Sequence, residues 1–138
     1  MSAAITPDGD QPDAHVRQVG ETTVYVCDVA GPSISSGQDA VDIIGETWHS
    51  RADLVAIPVG RLNEGFFTLS TGLAGEFIQK FVNYQVAIAI VGDLSAQLAA
   101  SSALRAFVHE SNRGRQVWFL RDLGELAQAL GPARPSSD

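Results

Sequence analysis

The sequence is poor in cysteine and in cationic residues, and it lacks a long apolar run. Its single cysteine, Cys27, excludes an internal disulfide and a cysteine-rich zinc site. No apolar stretch reaches the roughly 18 residues that a membrane-spanning helix needs. The 9 Lys and Arg residues face 16 Asp and Glu residues, which gives a net charge of −7. The lack of a long apolar run argues against a membrane protein. Because an acidic surface repels phosphate backbones, the net charge argues against nucleic-acid binding.

Sequence signatures of common chemistries are missing too. The chain contains neither a Gly-x-Gly-x-x-Gly loop nor a P-loop. Its three histidines fall on three separate predicted elements, without the spacing of a zinc site: His15, His49 and His109. We therefore predict no metal site and no cofactor, and we assign no catalytic residue. Acidic residues stand near the N-terminus where a signal peptide carries positive charge, so we expect a cytoplasmic protein.

What is present fits one domain. The chain has 138 residues, 45% of them hydrophobic, which suits a single core. Residues 1–13 are rich in Asp, Pro and Gly and predict a flexible acidic tail. Residues 131–138 predict a second flexible tail. The predicted domain therefore spans residues 14–130.

The first part of this domain predicts a hairpin and a capped helix. Two extended runs flank Gly20 and Glu21, and Gly-X is turn chemistry for a two-residue hairpin. Ser36 and Asp39 then have the spacing of a capping box at a helix start. The helix that follows carries three apolar residues at a spacing that predicts a core-facing side: Val41, Ile44 and Trp48.

The rest of the domain predicts alternating strands and helices. A helix from Leu73 to Tyr84 has Phe77 and Phe81 on its apolar side, and Glu76 and Lys80 stand four residues apart in the favoured order for an ion pair. The whole order reads β-β-α-β-α-β-α-β-α. Such alternation implies parallel βαβ units. The predicted fold class is α/β, with one mixed sheet that starts in an N-terminal hairpin and continues in βα repeats.

A first candidate site combines a helix start with the end of a strand. Ser70, Thr71 and Gly72 precede the second helix, where unpaired N–H groups attract an anion or a phosphorylated hydroxyl. Asp93 follows the next strand, so we expect it at the same edge of the sheet. These four residues form a candidate switch or anion site. The alternative is plain capping, by Ser70 or Thr71 at the helix and by Asp93 at its turn.

A second candidate site gathers polar side chains of the second and third helices. Arginine forks suit a carboxylate, from this chain or from a protein partner. The alternative is an internal ion-pair network that joins the helices. The candidate interaction or ion-pair cluster comprises Glu76, Lys80, Asn83, Arg105, Glu110, Asn112 and Arg113.

Two resemblances follow from these motifs. The strand, the connection and the turn Ser70-Thr71-Gly72-Leu73 into a helix resemble the STAS fold of anti-sigma-factor antagonists, with Leu69 where that turn has an aspartate. The resemblance implies that a partner kinase phosphorylates the serine that Ser70 matches.

Longer strings, among them Thr71-Gly72-Leu73-Ala74-Gly75-Glu76 and Glu110-Ser111-Asn112-Arg113-Gly114-Arg115, are similar to the bacterial domain of unknown function numbered 4180. That resemblance implies a cytoplasmic bacterial α/β domain and no particular activity.

Two interpretations of function remain open. The first is a non-enzymatic regulatory or protein-interaction module of STAS-like shape, with a hydroxyl switch at the start of the second helix. The alternative is a domain that binds a small anionic or nucleotide ligand, or a small enzyme. The first expects a protein partner that the sequence does not identify, and it leaves a homodimer open.

Overall fold

In the part of the chain that the structure describes, the sheet has five strands that lie side by side in their order along the chain. The computed structural model of the protein describes residues 15–28, 33–114 and 116–130. The strands are β1 (Val16–Val19), β2 (Thr22–Val26), β3 (Leu54–Pro58), β4 (Ala87–Val91) and β5 (Val117–Leu120). Strands β1 and β2 are antiparallel, and every later neighbour is parallel, so the sheet is mixed.

The N-terminal hairpin is the one that the sequence predicts. Val19 pairs with Thr22, which leaves Gly20 and Glu21 as a two-residue loop. Gly20 has a φ of 61°, a left-handed conformation that glycine adopts without strain. The prediction of one α/β domain with a mixed sheet and a leading hairpin is therefore confirmed.

Six helices connect or follow the strands in the described part of the chain. They are α1 (Gly37–Thr47), α2 (Glu64–Phe67), α3 (Leu73–Asn83), α4 (Ser95–Ala100), α5 (Ser102–Arg113) and α6 (Leu123–Leu130). None of these helices has the length and apolar character needed to cross a bilayer. Ser36 and Asp39 form the predicted capping box at α1.

The two faces of the sheet are covered differently. Alternate strand residues such as Val55 and Ile88 pack with α1, α3 and α5 in the larger core. The residues next to these along each strand, such as Leu54 and Ala89, pack with Leu126 of α6 in a smaller core. Right-handed crossovers between strands in sequential order place all their helices on one face, which explains this layering.

The structure corrects two packing predictions. Trp48 does not face the core: its side chain is 62% exposed, and the buried side of α1 is formed by Ala40, Ile43, Ile44 and Thr47. Glu76 forms no ion pair with Lys80, although both lie in the described part of the chain. Its carboxylate lies instead against the start of α1, where a Cβ added to Gly37 would come within 2.7 Å of the Glu76 Cδ atom.

Some predictions fall on residues that the structure does not describe. The two tails, residues 1–13 and 131–138, lie outside the described residues, and so does Arg115. The flexibility of these tails and the domain boundary at residue 14 therefore stay predictions.

Candidate functional site

The turn that carries Ser70 and Thr71 has a left-handed glycine as the N-cap residue of the helix that follows. A 3₁₀ turn, Leu69–Thr71, leads into Gly72, whose φ of 80° and ψ of −4° place it in the left-handed region. An L-residue with a side chain is strained in this conformation, so the turn favours glycine at Gly72. Helix α3 then begins at Leu73.

The hydroxyl of Thr71 is held inside this turn. Thr71 Oγ1 donates towards the carbonyl oxygens of Gly65, at 2.8 Å, and Thr68, at 2.9 Å. The same oxygen accepts a hydrogen bond of 3.2 Å from the N–H of Leu73. It therefore satisfies one of the unpaired N–H groups at the start of α3, as the capping alternative predicts. A hydroxyl with these contacts is poorly placed for modification.

Ser70 differs from its neighbour. Across residues 15–28, 33–114 and 116–130, no group forms a hydrogen bond with its hydroxyl, and its side chain is exposed. It lines an open groove of about 840 Å³ that runs between the turns after β3 and the helices after β4. We call this the Ser70 groove. Its lining residues are Val59, Gly60, Leu62, Glu64, Phe67, Thr68, Leu69, Ser70, Ala96, Gln97, Ala100, Ser101 and Ala103.

The Ser70 groove is mainly apolar, with one charge. Val59, Phe67 and Leu69 are partly buried against the core and form its apolar side. Ala96 and Ala100 of α4 and Ala103 of α5 also line it. Glu64 is the charged group, and no Lys or Arg occurs among the described lining residues.

Asp93 lies at the carboxyl end of β4, as predicted, and it caps the next turn. Its Oδ1 atom accepts a hydrogen bond of 2.9 Å from the N–H of Ser95 and a second one from the Ser95 hydroxyl. These two hydrogen bonds hold the pKa of the Asp93 carboxyl below its ordinary value, because they stabilise the charged form. Asp93 is not among the residues that line the Ser70 groove.

The second candidate cluster is divided among separate local contacts. Asn83 accepts a hydrogen bond of 2.9 Å from Gln79 on its own helix. Arg105 Nη1 donates to the carbonyl oxygen of Leu98 at 2.6 Å. Arg113 lies 3.6 Å from Glu110, and both side chains are largely exposed. An exposed ion pair of this kind contributes about 0–1 kcal/mol to the stability of the fold, so this pair holds the two side chains only weakly.

Asn112 has a more specific role in the same region. Its Oδ1 atom accepts a hydrogen bond of 2.7 Å from the N–H of Phe119, and its Nδ2 atom donates at 3.2 Å to the Phe119 carbonyl. Among the described strands, β5 has a neighbour on one side, β4. The amide of Asn112 therefore substitutes for a second neighbouring strand at Phe119, which protects this edge.

An exposed aromatic pair was not predicted. The rings of Trp48 and Tyr84 meet edge to face, with centroids 6.4 Å apart, and their side chains are 62% and 47% exposed. They line a shallow groove with Val41, Ile44 and Gly45. The available signal was the helical spacing of Val41, Ile44 and Trp48, which sequence reasoning attributed to the core.

Metal-ligating and thiol side chains give no further candidate site in the described part of the chain. In the described part of the chain, no group of three or more His, Cys, Asp and Glu side chains is arranged to hold a metal ion. Cys27 is 8% exposed, and burial raises the pKa of its thiol to about 12. Since the thiolate is the nucleophilic form, this thiol is unreactive at neutral pH.

Comparison with known proteins gives one match. The model of a family described as "Domain of unknown function (DUF4180)" matches residues 19–130. Neither the curated proteins nor the solved structures contain a match to the chain.

Proposed function

The chain belongs to the DUF4180 family, and we propose that it is a non-enzymatic regulatory module that binds a protein partner in the Ser70 groove. The observation that carries the proposal is the pairing of an open apolar groove with a hydroxyl that has no partner in the described residues. Protein interfaces typically have an apolar centre and a polar rim. Leu69 and Phe67 are apolar residues of the groove lining, and Ser70 and Gln97 are polar ones.

The charge of the Ser70 groove favours a protein segment over the anionic or nucleotide ligand of the alternative interpretation. A phosphate or carboxylate needs cationic or N–H donors around it. The described lining offers the carboxylate of Glu64 and no Lys or Arg. A segment with apolar side chains and a basic residue opposite Glu64 complements this surface better.

Ser70 is the position at which this binding is regulated. Phosphorylation adds a charge of about −1.5 to −2. In a groove whose lining already includes the Glu64 carboxylate, this charge raises the desolvation cost of docking. Thr71 is the poorer target, because its hydroxyl is already bonded within the turn. We also propose that the module has the STAS-like shape of a bacterial cytoplasmic regulator, which the Ser70-Thr71-Gly72-Leu73 turn supports.

Affinity capture from a lysate of the native host, with matched variants, tests the proposal. Ala100→Arg places a long cation in the Ser70 groove, whereas Ala99→Arg makes the same change at an exposed neighbour outside it. We expect wild type and Ala99→Arg to retain the same protein, Ala100→Arg to lose it, and Ser70→Glu to retain less than Ser70→Ala. Equal retention by Ala100→Arg would refute the groove as the binding surface.

A thermal-shift screen with nucleotides distinguishes the alternative. The proposal expects no change in melting temperature, because the groove has no cationic lining residue in the described part of the chain. A nucleotide that raises the melting temperature would instead support the ligand-binding interpretation.

A further inference from the structure

We draw no further inference here: the strongest candidate, the exposed surface of Trp48 and Tyr84 at the ends of α1 and α3, carries none, because nothing in the described part of the chain shows what covers it.

Discussion

At the scale of single residues, two adjacent hydroxyls of similar chemistry have different roles. Thr71 bonds the carbonyls of Gly65 and Thr68 and the N–H of Leu73. Ser70 has no hydrogen-bond partner among the described residues and faces the Ser70 groove. The sequence could place both at a helix start, but it could not show which of the two hydroxyls is hydrogen-bonded within the turn. That choice depends on Gly72 and on the short helix α2, which propensity did not predict.

Substitution by alanine should separate these two roles. Thr71→Ala is expected to lower the free energy of unfolding by about 1 kcal/mol, the usual cost of losing a capping side chain. Ser70→Ala is expected to stay within about 0.5 kcal/mol, as exposed substitutions do. Urea melts of both variants measure the difference. Equal losses would show that Ser70 also holds the turn together.

Burial of Cys27 predicts a pH dependence. Because burial raises the pKa of the thiol from 9.0 to about 12, the folded state keeps a proton that the unfolded state releases. The unfolded state therefore binds fewer protons between these values, and the free energy of unfolding falls as pH rises above about 9. Tyr25, whose pKa is also raised by burial, contributes a fall of the same sign. Urea melts from pH 8 to 10.5 should show a shallower fall for Cys27→Ala than for wild type, and identical slopes would contradict the assignment.

At the scale of elements, the apolar periodicity predicts which segments are helices. It predicts less well which side of each helix is buried. The apolar side of α3 was placed correctly for Phe77 and Phe81, which are fully buried. In α1, two apolar sides overlap in the sequence, and only the one with Ala40 and Ile43 reaches the core. A single sequence contains no information on which of two such sides meets the sheet.

The hydrogen bonds between Asn112 and the edge of strand β5 can be tested by substitution. Asn112→Ala removes both side-chain hydrogen bonds to Phe119 and leaves its N–H and carbonyl unpaired. An unsatisfied, partly buried polar group costs about 1–3 kcal/mol, so we expect a loss of stability in that range. Gln79→Ala, which removes a bond between exposed side chains only, is the control and should cost less than about 0.5 kcal/mol. Equal effects would show that the amide does not protect the edge.

At the scale of the whole molecule, strand order positions the Ser70 groove and the exposed pair of Trp48 and Tyr84. Sequential parallel strands place α1, α3 and α5 on one face of the sheet, with helix starts near the carboxyl ends of the strands. The Ser70 groove therefore lies at the edge where α/β folds place their sites. The exposed pair of Trp48 and Tyr84 lies near the opposite ends of the helices. The fold class, the hairpin and the caps could be predicted from sequence, since local chemistry decides them. The grooves could not, because residues far apart in the sequence form each one.

The most direct test of the central claim is the dissociation constant of the captured protein for wild type, Ala99→Arg and Ala100→Arg. The account predicts binding at least tenfold weaker for Ala100→Arg, a loss of about 1.4 kcal/mol or more. It predicts binding within about twofold of wild type for Ala99→Arg, because that side chain lies outside the Ser70 groove. Equal dissociation constants for all three proteins would show that the partner binds elsewhere and would contradict the account.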